Sequence, residues 1–176
     1  MMLFVFIVSV SIPQLLIAAS AEEIDRNATA AMQTLYQQNP EVKKLAEASV
    51  AVLIFPKITK AGLIVGGAGG DGVLRKAGKS VAYYHSGEAS VGLQAGAQTY
   101  GYVLFFTDAA ALASLDNADG WEIGTGPTVV VLDDGFGKSM TTTTMKKGVY
   151  AYIFGQKGLM AGIGLKGSKI TKFTPK

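Results

Sequence analysis

The sequence contains no cysteine, and its single histidine is His85. The absence of cysteine excludes disulfides and thiol nucleophiles. Zinc sites take several Cys or His ligands, so one imidazole cannot supply such a site. No G-x-S-x-G nucleophile motif occurs, and no two acids have the spacing of a catalytic pair. We therefore expect no enzymatic activity, no catalytic residue, no metal and no cofactor.

Two short segments imitate functional motifs without their structural context. Residues 67–72 satisfy the dinucleotide pattern G-x-G-x-x-G, but the next residues reach another glycine-containing turn too soon to form the required helix. This segment is predicted to be a wide glycine-rich hairpin loop. His85 lies beside Ser86 and near Glu88, but closeness in sequence does not make a catalytic triad. We interpret His85 as a surface or strand-end histidine.

Charge is absent from residues 1–21, which carry two apolar runs and end in Ala19-Ser20-Ala21. This pattern is typical of a secretory signal peptide cleaved after Ala21, so that Glu22 becomes the new N-terminus. Polar residues and Pro13 interrupt the apolar run, which disfavours a transmembrane anchor. Residues 22–176 are then predicted to form a single domain. An exported chain without disulfides favours the bacterial periplasm.

Glycine is also absent before Gly62, and this region is predicted to be helical. Ile24, Ala28, Ala31 and Leu35 recur at helical spacing in a first amphipathic helix that begins near Glu22 and ends near residues 39–40. A second helix begins with Asn39 as its cap and Pro40 at its first position, with Val42, Leu45 and Ala46 as its apolar stripe.

All 22 glycines lie between Gly62 and Gly167, which favours strands and turns over helices there. The exception is a short helix near residues 108–115. Short glycine-containing links such as residues 76–79 favour antiparallel hairpins. The predicted class is α+β, with N-terminal helices packed on a twisted antiparallel β-sheet that can close into a sandwich or barrel. The predicted strands are residues 50–55, 62–67, 72–75, 81–85, 90–98, 102–106, 121–124, 128–132, 149–154 and 159–165.

A Gly-Leu-x-x-Gly pattern occurs at residues 62–66, 92–96 and 158–162. Residues four apart on one strand share a face, so each copy is predicted to expose a stripe of bare backbone. A helix or sheet corner could pack on such a stripe, and a ligand or acyl chain lying along it is the functional alternative.

The positive charge is concentrated at the C-terminal end. No Asp or Glu occurs after Asp134, whereas lysines recur to the last residue. A basic face of this kind suits anionic lipid headgroups, and solvated lysines on strand edges are the alternative. Nucleic acid is not expected as a partner, because the segment has no arginine and the protein is predicted to be exported. The lysines are Lys138, Lys146, Lys147, Lys157, Lys166, Lys169, Lys172 and Lys176.

Residues 121–124 (WEIG) and 141–144 (TTTT) look like the exported bacterial branch of the SYLF domain family, and three longer blocks resemble the family as a whole. They are AVLIFPKITKAG at residues 51–62, GEASVGLQAGAQ at residues 87–98 and YAYIFGQKGLMAG at residues 150–162. The resemblance extends over roughly residues 42–170. It implies a non-enzymatic module that binds acidic phospholipids, phosphoinositides in the eukaryotic members, through basic residues and an N-terminal amphipathic helix.

The resemblance assigns lipid contact first to Lys57 and Lys60, and then to Lys157 and Lys166. Lys146, Lys147 and Lys169 join them as candidates from the basic C-terminal segment. The resulting hypothesis is a periplasmic module that binds anionic phospholipid at a membrane surface. The alternative is a structural or interaction protein of the cell envelope, which contacts a protein partner through the glycine-striped sheet.

Overall fold

A computed structural model gives the fold, and it describes residues 19–62, 65–91, 96–117, 119–132, 146–157 and 165–176. Helix α1 spans Ala21–Gln38 and helix α2 spans Pro40–Ala48. The Ser20 hydroxyl caps α1 by accepting from the Glu23 amide, and Asn39 caps α2 by accepting from the Glu41 amide. Both N-terminal helices are thus confirmed. A short helix, α3, spans Ala109–Leu112 and continues as a 3-10 turn over Ala113–Asp116.

Eight strands form one mixed sheet in the order β5-β8-β3-β2-β1-β4-β7-β6. The α+β class is therefore confirmed. Neighbouring strands are antiparallel except β6 and β7, which are parallel. The prediction of a wholly antiparallel sheet is therefore wrong at this pair. Residues 133–148 join β6 to β7, and a parallel pair needs such a long connection to bring the chain back to the same end of the sheet. The strands are β1 Ala51–Gly62, β2 Val65–Lys76, β3 Lys79–Val91, β4 Gly96–Phe106, β5 Trp121–Glu122, β6 Val129–Leu132, β7 Val149–Lys157 and β8 Lys169–Phe173.

The sheet is curled into a half-barrel. Phe106 on β4 and Trp121 on β5 have ring centroids 6.0 Å apart, although β8, β3, β2 and β1 separate their strands in the sheet. Large buried side chains, among them Phe55 and Tyr102, fill the inner face together with Ala111 and Leu115 from the short helical segment. These side chains form one continuous buried core.

A second buried cluster joins the outer face of the sheet to α1 and α2. Helix α1 contributes Ile24, Ala28, Met32 and Leu35, and α2 contributes Val42 and Leu45. Ile54, Val73, Val103, Phe105, Leu132, Tyr150 and Tyr152 are the sheet residues in the same cluster. The apolar stripes of both helices are therefore buried rather than presented to solvent.

Several strand predictions were wrong in position. The predicted strand over residues 90–98 is divided, because β3 ends at Val91 and β4 begins at Gly96. Strand β8 was missed because it has five residues and only one of them, Ile170, is buried. So short a segment shows no clear alternation of apolar and polar residues. The predicted strand over residues 159–165 lies almost entirely outside the described residues, and so do the first eighteen residues of the predicted leader.

Candidate functional site

A β-bulge in β1 divides the sheet into two halves. Against both neighbouring strands, the register of β1 shifts by one residue across Pro56 and Lys57. We call the part before the bulge the proximal half, which includes Ala51–Phe55. The distal half is residues 57–62 of β1 with the strand residues paired to them, and it ends at the hairpin that joins β1 to β2. The buried cluster between the sheet and helices α1 and α2 takes its sheet residues from the proximal half. The one further contribution among the described residues is Phe154, which is partly buried at the bulge.

The glycines of residues 67–72 lie opposite this bulge. They form the interior of β2 and not the predicted hairpin loop. A Cβ on Gly72 would stand 2.5 Å from the Ile54 carbonyl oxygen, and a Cβ on Gly101 would stand 2.8 Å from that of Pro56. Close backbone approach, rather than a bound phosphate, therefore accounts for this glycine-rich segment.

The outer side of the distal half consists mostly of small residues, and the His85 ring lies beside Gly69 and Gly87. One register row crosses it through Lys157, Thr99, Thr59, Gly69, Gly87 and Lys169. Thr59 and Lys169 are exposed, as is Lys57 at the bulge. Five strand spacings of about 4.8 Å separate the two ends of the row, roughly 24 Å in all. We call this surface the distal outer face. For Lys157 only the backbone position is described.

Lys60 lies on the opposite, inner side. Its Nζ is 3.7 Å from Oε1 of Glu88, across the small side chain of Ala68 on the intervening strand. The Lys60 and Glu88 side chains are only 25% and 15% exposed, and Glu88 Oε2 is buried without a hydrogen-bond partner among the described residues. Lys60 is thus committed to an ion pair inside the mouth of the half-barrel.

The remaining candidate lysines lie elsewhere. Lys146 and Lys147 precede β7 and are exposed at the proximal end of the sheet, where the Lys146 carbonyl accepts from the Tyr150 hydroxyl. Lys157 ends the same nine-residue strand, so the length of β7, roughly 26 Å at 3.3 Å per residue, lies between it and these two lysines. Lys166 is exposed in the turn before β8. The candidate lysines therefore occupy separate surfaces, and among those whose side chains the structure describes, Lys57 and Lys169 share the distal outer face.

Polar groups on the inner side of the distal half surround Glu88. Burial, followed by the charge of Glu88, raises the pKa of Tyr100 to about 12. Burial also raises the pKa of Tyr102, whose hydroxyl donates to Ser86 Oγ at 2.7 Å. These tyrosines stay neutral at physiological pH and are hydrogen-bonding groups rather than bases.

His85 is a surface residue, as predicted, but it lies within β3 and not at its end. Its Nδ1 is 2.7 Å from Asp71 Oδ1, and its side chain is 53% exposed. No group of three or more His, Cys, Asp or Glu residues that could hold a metal occurs in the part of the chain that the structure describes. The described ranges likewise contain no helix that is long and apolar enough to cross a membrane.

The first copy of the Gly-Leu-x-x-Gly pattern, residues 62–66, does not form the predicted stripe along one strand, because its two glycines lie on different strands. Gly62 ends β1 and pairs directly with Gly66 on β2, and Gly62 also pairs with Gly96 on β4. The three glycines form a row across the sheet at the hairpin end. Most of the second copy and all of the third lie outside the described residues.

Sequence reasoning missed the polar cluster around Asp25, which ties α1 to the β2–β3 hairpin. The Asp25 carboxylate accepts from the hydroxyls of Ser80 and Tyr83, the latter at 2.7 Å. Arg75 Nη2 donates to the Asp25 carbonyl at 3.0 Å and to Thr29 Oγ1 at 2.8 Å. Burial alone would raise the pKa of Asp25, but these donors and the Arg75 charge together lower it. No local signal marks partners that are about fifty residues apart.

A family profile described as Las17-binding protein actin regulator, Ysc84, matches residues 87–174. The match takes in the distal part of β3, all of β4 and the strands that follow it, and it includes Lys146, Lys147, Lys157, Lys166 and Lys169. No curated protein matches the chain. Because the profile accounts for half of the sequence, the chain belongs to the SYLF domain family of Las17-binding actin regulators.

Proposed function

We propose that this protein is a non-enzymatic module that binds anionic phospholipid surfaces through exposed lysines. The SYLF family is associated with lipid binding and actin regulation rather than with catalysis. The observation that carries the proposal is the distal outer face, where Lys57 and Lys169 are both exposed. The strands between them place Gly69 and Gly87 on this face, together with the paired side chains of Asp71 and His85. Because both lysines lie on the same outer side of the sheet, their ammonium groups can contact one membrane surface.

Electrostatics sets the size of the expected effect. A lysine near an anionic membrane contributes about 1 kcal/mol, and the attraction decays over a Debye length of about 10 Å at 0.1 M salt. Lys57 and Lys169 together are therefore worth roughly tenfold in affinity or somewhat more. Lys60 contributes less, because its charge is already paired with Glu88.

The leader-like residues 1–21 support export, with the periplasm as the proposed location. Phosphatidylglycerol or cardiolipin is then the acidic lipid that the protein meets, rather than a phosphoinositide. The actin side of the family association is not part of the proposal for an exported protein. The predicted cleavage point after Ala21 falls inside the first turn of α1, which starts at Ala21 and is capped by Ser20.

Flotation of the chain from Glu22 onward with liposomes tests the proposal. Binding is expected to require phosphatidylglycerol or cardiolipin and to weaken steeply between 50 and 300 mM salt, in about the range set by Debye screening. The double variant Lys57→Gln/Lys169→Gln should weaken binding about tenfold. Lys43→Gln/Lys44→Gln on α2 is the matched control, because both lysines are 61% exposed and removal changes the charge equally.

A third double variant, Lys146→Gln/Lys147→Gln, separates the two lysine groups. Binding by the distal outer face predicts a smaller loss for this variant than for Lys57→Gln/Lys169→Gln. The reverse order would move the membrane contact to the proximal end. Equal binding to neutral and acidic liposomes would overturn the electrostatic proposal.

A protein partner in the cell envelope is the second candidate function. It is favoured by exposed small residues on the distal outer face, such as Ala61, Gly67 and Ala97, and by exposed Val130 and Val131 on the edge strand β6. The absence of binding to every liposome, together with capture of one envelope protein that Ala61→Arg abolishes, would establish this candidate instead.

A further inference from the structure

A groove of about 380 Å³ opens between the two N-terminal helices and the proximal outer face of the sheet. Its apolar wall consists of Met32 and Tyr36 from α1, Ala46 from α2, and Val52 and Ile54 from β1. Small-molecule sites typically measure roughly 300 to 1,000 Å³ and combine apolar walls with a few polar groups. The groove has this size and this composition.

Arg75 is the cation that lines the groove. Its side chain is 18% exposed, and the only carboxylate oxygen paired with it among the described residues, Asp25 Oδ1, is 3.4 Å away. Its Nε is buried and has no hydrogen-bond partner in the described part of the chain. A buried guanidinium donor without an acceptor is unfavourable, and an acidic ligand oxygen would satisfy it.

The other charged group at the groove is Glu47. Its side chain is 67% exposed and lies 4.0 Å from Lys43, so solvent and this lysine screen its charge. Arg75 Nη2 already donates to the Asp25 carbonyl and to Thr29, so Nε is the donor that remains for a ligand, whereas Glu47 is solvated.

We propose that this groove binds one acyl chain that ends in a carboxylate, with the carboxylate on Arg75 and the chain along Met32, Tyr36, Ala46 and Val52. The volume of about 380 Å³ lies within the range of small-molecule sites, which is room for a single acyl chain. The ligand class is a long-chain fatty acid. The site is separate from the distal outer face, and the proposal does not depend on membrane binding.

Displacement of a fluorescent fatty acid by palmitate, measured on the full chain, tests the proposal. Gln33→Phe and Ala46→Phe place bulk in the groove from α1 and α2 and should each weaken palmitate binding about tenfold or more. Gln37→Phe is the matched control, because Gln37 is exposed on the same helix but does not line the groove. Circular dichroism and thermal melting identify any variant that fails to fold.

A second measurement isolates the role of Arg75. The wild-type groove should prefer palmitate to hexadecanol by about tenfold or more, because hydrogen bonds to charged groups are strong. Arg75→Gln should abolish that preference, whereas Arg75→Lys should retain part of it. A general loss of stability would weaken the acid and the alcohol alike and leave their ratio unchanged.

Three results would overturn the proposal: no binding of palmitate, equal affinity for palmitate and hexadecanol, or full binding by both groove-filling variants. Liposome flotation of Gln33→Phe should match the wild type, because this variant leaves Lys57 and Lys169 intact. If the wild type binds palmitate but does not float with acidic liposomes, only the proposed membrane function is contradicted.

Discussion

The two halves of the sheet differ in how the same strand, β1, is buried. From Ala51 to Phe55 every residue except Val52 is buried, because the inner core covers one face and the helices cover the other. After Lys57 exposed residues alternate with buried or half-buried ones, as in a strand covered on one face. The proximal half thus provides stability, and the distal half offers a free surface. A single bulge at Pro56 and Lys57 separates these roles.

The largest expected effect breaks the proximal half. Phe105 is fully buried between the sheet and the helices, so Phe105→Ala should reduce the free energy of unfolding by about 3–5 kcal/mol. Urea denaturation of the full domain measures this loss. Thr59 is exposed on the distal outer face, so Thr59→Ala should change the free energy of unfolding by no more than about 0.5 kcal/mol. A cost at Thr59 comparable with that at Phe105 would show that the distal outer face is covered.

A smaller effect sharpens the boundary between the halves. Gly72→Ala places a methyl group 2.5 Å from the Ile54 carbonyl oxygen and 2.6 Å from the Phe55 ring. We expect a loss of about 1–3 kcal/mol by thermal or urea unfolding. Gly67→Ala on the same strand is the control, because its nearest contact would be 3.4 Å, an ordinary separation. Equal melting temperatures for the two variants would contradict the close backbone approach at the bulge.

The third prediction concerns the attachment of α1 to the proximal half. Asp25→Ala removes the acceptor of Ser80, Tyr83 and Arg75, and should cost about 1–3 kcal/mol near neutral pH. Because folding lowers the pKa of Asp25 below its ordinary value of 3.8, its contribution is present above that value. It is lost as the pH falls through the lower native pKa.

The difference in stability between the wild type and Asp25→Ala should therefore be constant from pH 7 to about pH 5 and should shrink below pH 4. Denaturant unfolding across this range measures it. Glu22→Ala is the control, because Glu22 is exposed in the first turn of the same helix. A gap that widens on acidification would contradict the assignment of the carboxylate as the acceptor.

The helices were predictable because their signals are local. Asn39 and Pro40 mark the start of α2 within two adjacent residues, and the stripe of Ile24, Ala28 and Leu35 repeats within α1. Predicting Ala31 in that stripe was wrong in detail, since Met32 is the residue buried beside them. Periodicity fixes which side of a helix is apolar to within about one position.

The glycines were misinterpreted because their role depends on another strand. The run at residues 67–72 has the composition of a loop, but it continues β2 because β1 bulges towards it. The glycines at positions 62 and 66 are four residues apart in sequence, yet they pair across a hairpin. Composition contains no information about which strand will lie opposite.

The sequence by itself determined the α+β class, the two capped helices, the excess of C-terminal lysine and the lack of cysteine and of a second histidine. These properties depend on residue type and on spacing within one segment. The tertiary structure alone decided that Lys60 pairs with Glu88, that Asp25 meets Arg75, and that Lys57 and Lys169 share a face apart from Lys146 and Lys147. These properties require the register and curl of the sheet, which bring together residues distant in sequence, and no local pattern specifies that packing.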